Sequence, residues 1–125
     1  MKKKMTQKLF DLSNKTIILT GSAGRLGSNF AEILADAGAN LVLIDINEKE
    51  NKKLEKRITR KFKIKCISSN ANITIKKELL ELTKIIIKKF GKIDGLVNNA
   101  FYNPRTNVEQ SARRFEDYSL DLWND

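Results

Sequence analysis

Three glycines, Gly21, Gly24 and Gly27, follow the β-branched run Thr16-Ile17-Ile18-Leu19-Thr20 and precede an apolar pattern of helical spacing. At a strand-to-helix turn each has a use. The first permits a tight turn, the middle of the loop lets backbone approach a pyrophosphate, and the third allows close helix–strand packing. Ser22, Ala23, Arg25 and Leu26 fill the turn, and its backbone N–H groups and helix dipole favour a diphosphate there. Asp45 closes a second apolar run, 18 residues after Gly27. A carboxylate in that place accepts both ribose hydroxyls of an adenosine and repels a 2′-phosphate, which favours NAD and leaves NADP as the weaker choice. The plain alternative is a solvated strand-end carboxylate. Arg25 pulls the other way, since a guanidinium beside the loop can pair with a phosphate or can point outward from the helix.

These residues need a scaffold, and the hydrophobic periodicity supplies one. After Thr16–Thr20 a helix is expected with Leu26, Phe30, Ile33, Leu34 and Ala37 on its buried stripe and Gly38 closing it. Asn40–Ile44 reads as a second strand. Asn47 reads as the N-cap of a second, heavily charged helix whose stripe is Leu54, Ile58 and Phe62. Ile64–Ile67 is the expected third strand. Polar residues 68–72 then lead to a third helix with a stripe of Ile75, Leu79, Leu82, Ile86 and Phe90, ending at Gly91. Ile93–Val97 is the expected fourth strand, running into Asn98-Asn99-Ala100. Alternating strands and helices with near-continuously apolar strands predict an α/β, Rossmann-type parallel sheet with helices on both faces. Residues 1–12 read as a basic leader and residues 13–125 as one unit. Ser119–Trp123 resembles the first turn of another helix, so the sheet reads as truncated after the fourth strand.

Composition narrows the chemistry. The 125 residues include no histidine, which removes His-based triads, general bases and metal ligands together. One cysteine, Cys66, excludes an internal disulfide framework and is expected to be a buried structural thiol. No apolar stretch approaches the roughly 20 residues of a membrane span, and no signal core follows the basic start, so a cytoplasmic protein is expected. The net charge of +9 invites nucleic acid as a partner. Abundant Lys, Ile and Asn on solvent faces, as an AT-rich coding sequence produces, is the preferred explanation. Nucleic-acid binding would in any case show affinity that collapses with salt.

Leu12-Ser13-Asn14-Lys15-Thr16, Thr20-Gly21 through Gly27, Gly38-Ala39, Asp45, and Asp94-Gly95-Leu96-Val97-Asn98-Asn99-Ala100 together resemble the short-chain dehydrogenase/reductase family, in its single-domain branch. The likeness runs from about Leu12 to Asp125. It implies that Asn98, Asn99 and Ala100 steady the central sheet and pass the adenine ribose. It also places Asn72, with Ile73 beside it, where members often carry an Asp that touches adenine. Arg25 and Phe101 stand where the family more often has glycine. Asn98 to Arg105 also looks like members linked to sialic-acid-like sugar biosynthesis, hinting at a sugar-type substrate.

The family's chemistry is hydride transfer assisted by a Tyr whose pKa is lowered by a Lys four residues later. Here Thr106 lies four after Tyr102 and Leu122 four after Tyr118, so neither tyrosine has that partner. Tyr102 is expected in a loop near the cofactor cleft and Tyr118 in packing. The resemblance therefore implies the N-terminal, cofactor-binding half of an NAD(P)-dependent oxidoreductase, inactive alone, with a complementary C-terminal half or a second copy as partner. It also implies strand order third, second, first, fourth, which leaves Ile93–Val97 as an apolar edge. The competing expectation is a stand-alone NAD-binding module without catalysis.

Overall fold

The computed structural model describes residues 9–101 and 114–117. The leader's first eight residues, Tyr102, Tyr118 and the expected turn at Ser119–Trp123 lie outside the described residues. Four strands, β1 (Thr16–Thr20), β2 (Asn40–Ile44), β3 (Cys66–Ser69) and β4 (Gly95–Val97), form one parallel sheet in the order β3-β2-β1-β4. Three helices connect them: α1 (Arg25–Asp36), α2 (Glu48–Lys61) and α3 (Lys76–Phe90). Phe115–Asp117 forms a short 3₁₀ turn.

Parallel strands buried on both faces separate their side chains into two cores, because successive residues point to opposite sides. On one face Ile17, Leu19, Leu41 and Leu43 meet Ala31 and Ala35 of α1 and Leu54 and Ile58 of α2. On the other, Val42 and Ile44, with Ile18 and Ile67 alongside, meet Leu82 and Ile86 of α3. Cys66 belongs to the first core, and burial, with the nearby Glu55 carboxylate adding to it, pushes its thiol up to about 12. Such a thiol is unreactive at neutral pH.

Helix ends obey local chemistry. Asn47 caps α2 by accepting the N–H of Glu50 at 3.3 Å, while Glu48 and Glu50 in the first turn and Arg60 and Lys61 in the last complement the helix dipole. Gly91 closes α3 in the left-handed conformation. Glu32 of α1 receives both Arg57 (3.2 Å) and Lys61 (2.8 Å) of α2, and these cations hold its carboxyl below the usual range, the hydrogen bond from Lys61 contributing most.

Four expectations are corrected. Ile75, expected on the buried stripe of α3, is exposed as the residue before the helix's first turn, and the stripe is buried at Leu82 and Ile86. The third strand begins later than Ile64, at Cys66, and runs to Ser69, because its partners on β2 are Leu41 to Ile44. The fourth strand is shorter at its start, since only Gly95–Val97 has partners on β1. The buried stripe of α1 is rotated by about one position: Gly27, Ala31 and Ala35 face the sheet with the expected Leu34 packed beside them, while Leu26 (63% exposed) and Ile33 (65%) face out and Phe30 is exposed with them. The cause lies at Gly27, where a Cβ would fall 2.1 Å from the Gly21 carbonyl oxygen. Only the hydrogen-bearing face of α1 can approach that turn.

Candidate functional site

The carboxyl ends of all four strands share one edge of the sheet. The order reverses between β1 and β4, since β1 continues outward through β2 while the later strand is added on its other side. In open α/β sheets the crevice at such a switch point is where ligands bind. The sequence motifs fall around it. Gly21 follows β1, Asp45 follows β2, Asn72 and Ile73 follow β3, and Asn98, Asn99 and Ala100 follow β4.

The glycine turn is built for close approach. Gly21 has φ +63°, and a Cβ there would meet the Ala100 Cα at 2.8 Å. The Gly24 N–H donates to the Gly21 carbonyl at 3.2 Å, and Gly24 then stands as N-cap of α1 with no side chain capping the helix. A helix start leaves its first N–H groups without intrahelical partners, so those of Arg25, Leu26 and Gly27 form an anion-binding end. No acidic side chain sits in this first turn. Arg25 and Leu26 are exposed there and Gly27 is buried.

Asp45 stands beside the turn. Its Oδ2 accepts the Ala23 N–H at 2.9 Å and its Oδ1 accepts the Asn47 N–H at 2.9 Å. Each oxygen keeps a second lone-pair direction for a hydroxyl donor. Ser22 is placed differently from its neighbours. It is fully buried, its N–H donates to the Ile44 carbonyl at 3.2 Å, and its Oγ donates to the Asn51 Oδ1 at 2.8 Å. The Ser22 hydroxyl therefore faces inward and braces the loop from below.

Around β4 the motif residues divide. The Asn99 Nδ2 donates to the carbonyls of Thr20 (3.1 Å) and Gly21 (3.0 Å), so its amide staples this loop to β1. The N–H groups of Asn99 (3.1 Å) and Ala100 (3.0 Å) donate to the Thr20 Oγ1, which donates in turn to the Val97 carbonyl at 3.3 Å. Asn98 is exposed on the same loop. The Asn72 Oδ1 accepts from the N–H and hydroxyl of Thr74, and its backbone N–H donates to the Glu78 carboxylate at 2.7 Å. Ile73 is exposed next to it. The turn after β3 is thus anchored to α3.

Sequence reasoning missed Thr20, Asn51, Glu78 and Asp94. Thr20 stands in the sequence as a strand end and as the first residue of the glycine motif, without its hydrogen-bonding role. Asn51 precedes Leu54 by three and Ile58 by seven, which puts a polar side chain on the buried stripe of α2. That pattern is a usable signal. Asp94 was read within a motif, without its role: it accepts the Thr16 N–H at 2.8 Å and pairs with Lys15 and Lys92, tying the start of β4 to β1.

A groove of about 270 Å³ beside the turn is lined by Ala23, Ser28, Glu50, Lys53, Leu54 and Arg57. Its two cations are paired, Lys53 with Glu50 at 2.7 Å and Arg57 with Glu32. No helix among the described residues is long and apolar enough to cross a membrane.

Comparison with known proteins agrees with this geometry. The family model described as short chain dehydrogenase matches residues 15–124. A diacetyl reductase, (S)-acetoin forming, of Staphylococcus epidermidis is 42% identical over 87 residues, covering 70% of this chain and 34% of the reductase. The crystal structure of an NAD+-bound xylitol dehydrogenase matches with a TM-score of 0.69 at 30% identity, covering 73% of this chain and 35% of that one. A metagenomic short-chain oxidoreductase in complex with NADP matches with a TM-score of 0.73 over 91% of this chain and 48% of its own; at 19% identity it shows the shared fold alone. The chain spans about a third of the length of the reductase and of the xylitol dehydrogenase.

Proposed function

Because the chain belongs to the short-chain dehydrogenase family, we propose that it is the cofactor-binding half of an oxidoreductase using a nicotinamide dinucleotide, NAD in preference to NADP. Bound there, the cofactor would accept or donate the hydride in an alcohol–carbonyl interconversion. This chain's residues would hold it. The N–H groups opening α1 take the pyrophosphate, Asp45 takes the adenosine ribose hydroxyls, and the Asn98–Ala100 loop lines the crevice beyond Gly21. The observation that carries the reading is the Asp45 carboxylate held against the Ala23 N–H, next to an uncapped helix start. That juxtaposition supports assigning the ribose to Asp45 and the diphosphate to the neighbouring helix start.

A 2′-phosphate would meet the Asp45 charge, and Lys53 and Arg57 in the adjacent groove already have carboxylate partners. Both features support NAD. Proton transfer to substrate would wait on a Tyr–Lys pair from further polypeptide, since neither Tyr102 nor Tyr118 has a Lys four places on. By itself the chain would bind cofactor without turnover. Leu26 and Ile33 on α1 and Leu96 on β4 expose apolar surface that further polypeptide, or a second copy, would cover. A sugar-type alcohol is the substrate class suggested by the resemblance at Asn98 to Arg105, and a cytoplasmic location goes with it.

The test is calorimetric titration of the chain with NAD and NADP. NAD should bind saturably and more tightly than NADP. Asp45→Ala should weaken NAD by roughly tenfold, about the worth of a charge-assisted hydrogen bond, and narrow the gap to NADP. Absence of saturable NAD binding, or an Asp45→Ala chain with unchanged NAD affinity, would overturn the reading.

A further inference from the structure

Asn51 is a polar side chain only 1% exposed in the face of α2 that packs on the sheet. It makes three hydrogen bonds, each with a different segment. Its Oδ1 accepts the Ser22 hydroxyl at 2.8 Å, and its Nδ2 donates at 3.0 Å to the carbonyl of Leu43 and at 3.0 Å to that of Ser69. The Ser69 carbonyl also accepts the Asp45 N–H at 3.1 Å, and the Asp45 Oδ2 accepts the N–H of Ala23, the neighbour of Ser22. The bonds close a ring: Ser22, Asn51, Ser69, Asp45, Ala23 and back to Ser22.

We propose that Asn51 is a positioning residue that sets the glycine turn at a fixed distance from Asp45, so that the pyrophosphate and ribose subsites are held in register before the cofactor arrives. The inference rests on the cofactor reading above. The chemistry selects asparagine here. Two carbonyls need two N–H donors and one hydroxyl needs an acceptor, which a carboxamide supplies at once. An aspartate would set its oxygens against two carbonyl oxygens, and a leucine would strand all three partners in a dry site. A fully satisfied buried network rigidifies what it joins, and a rigid site loses less freedom when its ligand binds.

Ser22→Ala cuts the ring at its link to the loop and leaves Asn51 bonded to both strand ends. In this variant of the full chain, affinity for ADP-ribose, which spans both subsites, should fall by roughly threefold to tenfold, the worth of one hydrogen bond. Affinity for adenosine, which reaches only the Asp45 side, should stay within about twofold. The amides of Ala23 to Gly27 should also exchange with solvent faster in the unliganded variant. A purely structural role predicts equal losses for both ligands. Equal losses, or no loss with unchanged exchange, overturn the proposal. If the unaltered chain binds no ADP-ribose, the cofactor reading fails and the proposal, which rests on it, fails with it; ADP-ribose binding that Ser22→Ala leaves unchanged overturns the proposal alone.

Discussion

A methyl group at Gly27 would sit 2.1 Å from the Gly21 carbonyl oxygen and 2.8 Å from the Ser22 Cα, both backbone atoms with no rotamer to yield. Gly27→Ala must therefore push α1 off the turn, and an equilibrium urea titration should show a loss of about 1–3 kcal/mol, the range of overpacking. Gly24→Ala meets the same oxygen at 3.2 Å and should cost less. At Asp94 the effect is electrostatic. The Thr16 N–H foremost, then Lys92 and Lys15, outweigh partial burial and hold this carboxyl below its ordinary value. A depressed folded pKa means the stabilisation is present above the unfolded value, near 3.9, and is lost as pH falls through the lower folded one. The urea midpoint of Asp94→Asn should then lie below that of the unaltered chain at neutral pH. The gap should narrow below about pH 4 and close in stronger acid; a gap independent of pH would remove the charge from the explanation.

Helix α1 shows how two patterns compete within one element. Its largest apolar residues suggest a stripe through Leu26, Phe30, Ile33 and Leu34, yet the helix turns its smallest residues, Gly27, Ala31 and Ala35, to the sheet and keeps only Leu34 of the larger ones packed beside them. Contact distance decides between them, because a helix that begins beneath a tight backbone turn cannot carry bulk on that side. Leu26→Lys and Ile33→Lys should change stability by no more than about 0.5 kcal/mol, as ordinary surface substitutions do. Ala31→Leu, on a residue with no exposed surface, should cost about 1–3 kcal/mol. Chemical denaturation of the three variants checks the rotation directly, and the reverse ranking would restore the larger stripe. Helix α2 offers no such conflict. Its cap, its charges and its stripe all agree, and it forms where the sequence places it.

At the scale of the sheet, β4 is one of its two edges among the described residues, with three paired residues and Leu96 exposed at 56%. An apolar edge strand is a template for pairing with another chain. The 125-residue chain should self-associate as its concentration rises, and Leu96→Lys should reduce this by placing a solvated charge on the edge. Sedimentation velocity across a concentration series reads the difference; identical behaviour of the two chains would direct attention to the exposed face of α1 instead.

The parallel α/β order, the glycine turn, Asp45 at its strand end and the cap at Asn47 were all readable from local sequence. Each depends on the conformational demands of a few neighbouring residues, or on a periodicity that a short window contains. The limits of β3 and β4 were not readable, because a strand extends only as far as its partner offers hydrogen bonds, and Leu41 to Ile44 supply β3 from a distant part of the chain. The rotation of α1 was hidden for a related reason, since it follows from a contact between Gly27 and Gly21 across a turn. Least visible was the bracing of the site. Thr20 gathers Asn99 and Ala100, and Asn51 joins Ser22 to β2 and β3, through partners 8 to 80 residues away in sequence. Local sequence determined which groups the strand ends and the glycine turn carry, whereas tertiary structure alone decided how they are held in register, because hydrogen bonds between remote segments exist only once both are in place.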